Sequence, residues 1–493
     1  MSKMTAPAAV SGPIIESRSI DFVPLSERHG KAWHQGPFWF SGNFVLSTLV
    51  LGFLGPAIGL SIWASVLAST LGVIVGTFFM AFHANQGPRM GLPQMVQSRA
   101  QFGSRGAIVP LLATIFVYIG FNIFNLVFLT ESITTVLPGN KWVWYPVFSA
   151  VILIVAIIGH DLLHFIQRWM AYIMLVMFAI FTVLALTQFS GQQPVLSGGW
   201  EFGPFLAMFS AAAGYQISYA VYVSDYSRYL RPDTSARKVI GWTFAGAALS
   251  AIWLTALGAV LSSYLAAPEA VGSLVTVGNN AIPLFGTALI LVSIPAQIGI
   301  GSVNAYGAML TTVAAFDGFR PLVTGRRTRI IAVAIIMIVT TVVALLLPDD
   351  YLGNFNSFVL LMLYFLVPWT AVNLADFYFV RRGHYAITEI FNPAGIYGRW
   401  GSRGLVSYFA GFIAMIPFMN TSFYIGPIAQ ALGGTDLSFV IGLVIAGGLY
   451  LILSRNFDPT SENAAIAQSD LELGAPGEGT PSAPASTSSA SRN

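Results

Sequence analysis

Apolar runs of about twenty residues alternate with short polar stretches along most of this chain. They fall at 38–60, 62–82, 107–137, 142–159, 169–190, 203–223, 240–265, 283–315, 330–347, 355–379, 405–428 and 437–454. A helix of roughly 20 residues crosses the hydrocarbon core of a bilayer. The pattern predicts an all-α integral membrane protein with twelve transmembrane helices, and an even count puts both termini on one side. Residues 1–35 form a polar tail without the apolar core of a cleavable signal peptide, so the first span serves as the insertion signal. Residues 456–493, rich in Ser, Ala, Pro and Gly, bury too little apolar surface to fold and are expected to be a disordered tail.

Two runs depart from plain apolar helix. Residues 202–230 begin apolar, pass through Ala211-Ala212-Ala213-Gly214, continue with Tyr215, Gln216, Ser218 and Tyr219, and end in a charged segment from Asp225 to Arg231. Lipid cannot satisfy backbone hydrogen bonds, so a loosened stretch at membrane depth is costly unless it lines a cavity. Interrupted helices near the midplane are where transporters hold substrate. The other use of a small-residue patch is close helix packing. In the first span, Gly42, Asn43 and the Gly52–Gly55–Pro56 cluster permit local unwinding, and freed carbonyls there, with hydroxyls of the eighth span, could bind a cation.

Composition and charge agree with the pattern and add an orientation. The chain is 55% hydrophobic and 9% charged, with mean hydropathy +0.72, against roughly 25% charged for soluble domains. The absence of cysteine excludes disulfides and thiolate chemistry. In a twelve-span arrangement the Lys and Arg residues fall on one side, Lys141 excepted. That side is cytoplasmic by the positive-inside rule, which places both termini in the cytoplasm of a plasma-membrane protein. Topology accounts for these basic clusters, so nucleic-acid binding is not invoked. The first span opens Gly36-Pro37-Phe38 and the sixth Gly203-Pro204-Phe205, from opposite sides, which an inverted repeat would produce.

Charge is scarcest where a substrate would lie. Glu131 is the clearest acidic residue toward mid-membrane, while Asp225 and Asp376 sit near helix ends. A charge at the bilayer centre costs at least about 2.5–3.5 kcal/mol, and a site without one suits a neutral ligand. The third span offers Tyr118, Phe121, Asn122 and Asn125; the sixth Tyr215, Gln216, Ser218 and Tyr219; the eighth Gln297, Ser302 and Asn304. An amide carries both donor and acceptor and can match the N–H/C=O edge of a heterocycle, whose faces aromatic rings can cover. Equally, such amides tie helices together. Enzyme motifs are lacking: no HExxH or GxxxxGK[ST] occurs, GIGSVNAYG (299–307) has no βαβ context, and His160, Asp161 and His164 read as interfacial polar residues.

Four segments in order carry a family likeness: IDFVPLSERHG (20–30) before the WFSGN-type first span, SDYSRYL (224–230), NAYG (304–307) and NLADFYFVRRGHY (373–385). Together they resemble the nucleobase:cation symporter-1 family, nearest its bacterial purine–cytosine permease-like branch. The resemblance implies a leucine-transporter-like fold of five plus five spans in inverted repeat, about 36–190 and 202–380, plus two further spans at about 405–454. It implies alternating-access import of a nucleobase or related heterocycle driven by H⁺ or Na⁺, with no other cofactor. Carried over by position, Phe121 and Tyr118 match the third-span aromatic, and Gln216, Ser218 and Tyr215 or Tyr219 match the sixth-span contacts. Asn304 falls in the eighth-span motif, and Gly42 and Val45 match carbonyl positions of an ion site. Gly299 and Ile300 stand where Na⁺-using relatives carry a hydroxyl pair, which leaves the ion open. An amino-acid or amine transporter of the same fold, and a passive channel or membrane sensor, are the rival expectations. Oligomeric state is not set by the sequence.

Overall fold

A computed structural model of the chain describes residues 20–158, 160–266, 269–320, 326–348 and 351–474. The side chains of His160, Asp161 and His164 lie outside the described residues. The main helices are α1 (Gln35–Asn43), α2 (Leu46–Ala57), α3 (Ile62–His83), α4 (Ile108–Thr134), α5 (Lys141–Ile158) and α6 (His160–Phe189). They continue as α7 (Phe202–Ser218), α8 (Val223–Ser227), α9 (Ala236–Leu265), α10 (Ala270–Ala281) and α11 (Phe285–Asp317). The last are α12 (Arg326–Leu346), α13 (Tyr351–Ala375), α14 (Ser402–Met415), α15 (Ser438–Leu453) and α16 (Asn463–Leu473). Among the described residues, seven helices are long and apolar enough to cross a membrane, eight when the bent pair α1–α2 is one span, and three shorter apolar helices accompany them. α12 turns Ile331, Ile335, Ile338 and Val342 outward at helical spacing, as a lipid-facing stripe does.

Two groups of helices meet along a seam. In the first, α1, α2, α3, α7 and α9 pack on one another. Glycine sets their spacing: a Cβ added at Gly52 or Gly258 would overlap backbone across the α2–α9 contact, and one at Gly246 would overlap the carbonyl of Gly36 in α1. At Gly72 and Gly76 of α3 it would overlap the carbonyls of Phe209 and Ala213 in α7. The Ala211–Gly214 patch is therefore where α3 approaches, within unbroken α7 helix; the expected loosening there does not occur. The chain loosens instead one turn later, through a 3-10 turn at Tyr219–Val221 before α8. The second group is α4, α5, α11 and α12.

The first span breaks as expected but not at Gly42. The helix axis turns by 61° between α1 and α2, and Val45 adopts extended backbone at φ −133°, ψ 160°. Asn43 closes the break: its carbonyl accepts from Thr48 Oγ1 at 2.8 Å, and its Nδ2 donates to Gln216 Oε1 at 2.8 Å and Ala247 O at 2.9 Å.

Three further details differ from the sequence reading. Residues 270–281, which fall between the apolar runs at 240–265 and 283–315, form α10. The run at 405–428 is helical only to Phe418, then turns back through a bridge between Asn420 and Ile425. The first part of the expected disordered tail is helical, as α16, and a buried ion pair joins the apolar contacts of Phe457 and Leu473 in anchoring it. Glu462 accepts two hydrogen bonds from Arg381 at 3.0 Å. Arg381 also pairs with Asp376 at 2.7 Å and lies over the rings of Tyr397 and Phe457. Asp376 opens a π-helical turn, Asp376–Val380, that ends α13. The segment from Ile20 is likewise ordered, with Arg28 donating to Val23 O and Pro88 O at 2.8 and 3.0 Å.

Candidate functional site

The seam between the two helix groups holds a cavity of about 760 Å³, counting its open mouth. One wall comes from the two chain breaks: Phe38, Trp39, Gly42, Val45, Leu46 and Ser47 around the α1–α2 bend, with Tyr219, Tyr222 and Tyr226 around the interruption after α7. The other wall comes from unbroken helices: Phe121, Asn125 and Phe128 of α4, and Gln297, Ile300, Val303 and Asn304 of α11. Among the described residues the lining carries no Asp, Glu, Lys or Arg. Nothing there can clamp a phosphate or a carboxylate through charge.

Rings frame the space. Tyr219 lies 6.1 Å from Phe121 between centroids at 41°, Trp39 meets Tyr219 edge-on at 6.2 Å, and Tyr222 is 5.8 Å from Tyr219. Three amides supply polarity. Asn125 donates Nδ2 to the carbonyl of Gln297 at 2.9 Å, Gln297 donates Nε2 to Ser293 Oγ at 2.8 Å, and Asn304 accepts from the Tyr222 hydroxyl at 3.4 Å. Each keeps one end of its amide uncommitted among the described residues, which a flat polar ligand could engage.

Of the residues expected at a substrate site, Phe121, Tyr219, Gln297 and Asn304 lie on this wall. Tyr118, Asn122, Tyr215, Gln216 and Ser218 do not. Tyr118 is buried edge-on against Tyr222 at 4.8 Å, with its ring filling the gap that Gly307 leaves. Asn122 points its Nδ2 toward Met337 Sδ of α12 at 3.9 Å. One residue of helix is about 100° of rotation, so Phe121 and Asn125 share a stripe that Asn122 misses. Tyr215 stands behind the wall, its hydroxyl within 2.8 Å of Ser47, 2.9 Å of Thr48 and 3.1 Å of Tyr219. Gln216 spends both ends on the frame, accepting from Asn43 and donating to Thr77 Oγ1 at 2.8 Å. Ser218 returns its hydroxyl to Tyr215 O at 2.6 Å.

Of the cation-site residues, Gly42 and Val45 line the cavity at the bend. Ser302 does not join them: it donates to Ile298 O at 2.8 Å and Ile152 O at 3.2 Å, on the side of α11 that meets α5. Sequence reasoning passed over Trp39, Tyr222 and Tyr226 as site residues. Their signal was the aromatic spacing 219, 222, 226 across the break, visible once the break is placed there.

Known proteins resemble this chain in sequence and in fold. The family model for permeases for cytosine/purines, uracil, thiamine and allantoin matches residues 22–442. The chain is 37% identical over 450 residues to the "Putative purine-cytosine permease YxlA" of Bacillus subtilis (strain 168), covering 90% of this chain and 96% of that one. It is 25% identical over 476 residues to the purine-cytosine permease fcyB of Emericella nidulans, covering 89% and 88%. In fold it is similar to Mhp1, a nucleobase-cation-symport-1 family transporter solved closed with bromovinylhydantoin bound, at TM-score 0.72, 19% identity and coverage of 92% and 100%. The chain thus has the all-α, leucine-transporter-like fold of that transporter, and it belongs to the permease family for cytosine/purines, uracil, thiamine and allantoin: a multi-pass membrane transporter, not an enzyme.

Proposed function

We propose that this chain imports a neutral, flat nitrogen heterocycle by symport with H⁺ or Na⁺. The observation that carries the reading is the charge-free cavity at the seam, ringed by aromatics and holding three half-committed amides. Phe121 and Tyr219 cover the faces of the ring, and Asn125, Gln297 and Asn304 engage its edge. The bacterial relative named as a putative purine-cytosine permease and the bromovinylhydantoin bound to Mhp1 support a nucleobase or five-membered ureide ring as substrate.

Twelve crossings follow when the three shorter apolar helices and α7 with α8 join the eight long candidates. With twelve, both termini lie on the basic, cytoplasmic side. The repeats are then about 36–190 and 202–380, each opening with a broken helix that faces the cavity. The bend at Val45 supplies carbonyls for a cation, while Gly299 and Ile300 offer it no hydroxyl.

Uptake by proteoliposomes loaded to give a Na⁺ gradient, a proton gradient or neither, against adenine, cytosine, uracil, allantoin and hydantoin, tests the reading. Gradient-dependent accumulation of at least one of them is expected. Folded protein that accumulates none of them, or only equilibrates them, refutes it.

A further inference from the structure

Two of the cavity amides cannot choose which end they present. Gln297 donates Nε2 to Ser293 Oγ at 2.8 Å and to Ser132 Oγ at 3.4 Å. A serine hydroxyl has one hydrogen to give. Ser293 gives its hydrogen to Ile290 O at 2.7 Å, and Ser132 gives its own to Phe128 O at 2.6 Å. With their hydrogens so placed both oxygens meet Gln297 as acceptors, and the NH₂ end lies between them. The Oε1 end is left buried and has no hydrogen-bond partner among the described residues. Asn125 is fixed in the same sense, because its Nδ2 is held by a backbone carbonyl, that of Gln297, at 2.9 Å. A carbonyl never donates, so Oδ1 is the spare end. Gly301 keeps this geometry close, since a Cβ there would come within 2.7 Å of Asn125 Nδ2.

Asn304 is different. Among the described residues it is held by one long contact, from the Tyr222 hydroxyl at 3.4 Å. Its amide can turn and answer either a donor or an acceptor.

We infer that the α4–α11 wall is a fixed pair of acceptors, Asn125 Oδ1 and Gln297 Oε1, that selects substrates by their N–H groups. The inference rests on the heterocycle reading above and narrows it. The substrate is a neutral heterocycle with at least two N–H donors, from ring nitrogens or an exocyclic amino group. An analogue of the same shape that lacks one of those donors leaves a buried acceptor stranded. Ser132 and Ser293 act as positioning residues: they touch Gln297, not the ligand, and they set the polarity of the wall.

The test is equilibrium binding to the full chain in lipid nanodiscs, using isosteric pairs that lose a donor without adding bulk. The pairs are hydantoin against oxazolidine-2,4-dione, adenine against 6-methylpurine, and cytosine against 4-methylpyrimidin-2-one. For each parent that binds, its partner is expected to bind at least about tenfold more weakly. In the double variant Ser132→Ala/Ser293→Ala the Gln297 amide can rotate, and the discrimination should fall to about threefold or less while the parent still binds. The hydroxyl-keeping variant Ser132→Thr/Ser293→Thr should restore it, a recovery that a purely structural role of the serines does not predict. Equal binding of parent and isostere to the native chain overturns the acceptor wall and leaves the heterocycle reading standing. Discrimination undiminished in the alanine pair overturns the serine lock. Binding of none of the parents overturns the heterocycle reading and this inference together.

Discussion

Two buried sets of amides in this molecule are built from the same side chains and used in opposite ways. Near the end of α13, Gln94 donates to Gln86, Gln86 to Asn373, Asn373 to Gln101, and Gln101 to Asp376, at 2.8, 2.6, 3.4 and 2.8 Å. Gln86, Asn373 and Gln101 each use both ends, and the chain finishes on the ion pairs of Arg381 with Asp376 and Glu462. On the cavity wall, Asn125, Gln297 and Asn304 each use one. An unmet buried polar group is costly, so a fold keeps it where something else will meet it. Between the linked members of these two sets it is the number of committed ends that differs, not residue type, although Gln94 Oε1 at the head of the chain and Asn122 Oδ1 off the cavity also lack a partner among the described residues.

That contrast can be broken by experiment. The largest effect is expected at Arg381→Met, which leaves buried Asp376 without its counter-charge, though still hydrogen-bonded by Gln101, Tyr385 and Tyr450, and releases Glu462. Loss of one partner from a buried ion pair costs about 3–5 kcal/mol, so unfolding in detergent should shift strongly downward while ligand affinity of the remaining folded protein holds. A variant as stable as the native chain would show that this network is not frame. Gln216→Leu comes next. It strands Thr77 Oγ1 and leaves Asn43 Nδ2 with Ala247 O alone, at about 1–3 kcal/mol for a buried group left unmet, and should also appear as lost stability. If stability were unchanged and only affinity fell, Gln216 would belong to the site after all. Asn304→Ala should reverse the signature, weakening heterocycle binding by about 1–3 kcal/mol with little change in unfolding. Unaltered affinity there would remove Asn304 from the ligand's surroundings. The smallest change is expected at Asp233→Asn. Its ion pair with Arg231 is 68% and 71% exposed at the two side chains, so the loss should stay below about 1 kcal/mol; a larger loss would mean that exposed charge matters to this frame.

The same contrast explains what was legible beforehand. Apolar run length gave the long helices, because a bilayer fixes how much greasy helix is needed. Breaks were harder. Ala211–Gly214 looks like a place to unwind, yet small residues also let backbones touch, and only the glycines opposite, Gly72 and Gly76, reveal which use applies. Phe121, Tyr219, Gln297 and Asn304 were recoverable as aromatic and amide residues in charge-poor helices. Tyr118, Asn122, Gln216 and Ser218 share that chemistry and point elsewhere, since helical rotation within a bundle is set by neighbours that a single sequence does not display. The α16 anchor was hidden for a related reason: Glu462 reads as a solvated charge until Arg381 is seen beneath it.

The glycine contacts along α9 have a mechanical consequence. Both halves of the bent first helix rest on this one unbroken helix, α1 at Gly246 and α2 at Gly258, and at those two points main chain meets main chain. Such a joint has almost no give, because sliding it drives carbonyls into one another. Travel that opens and shuts the chamber is therefore expected to leave these two joints intact, so that α1, α2 and α9 move as one piece.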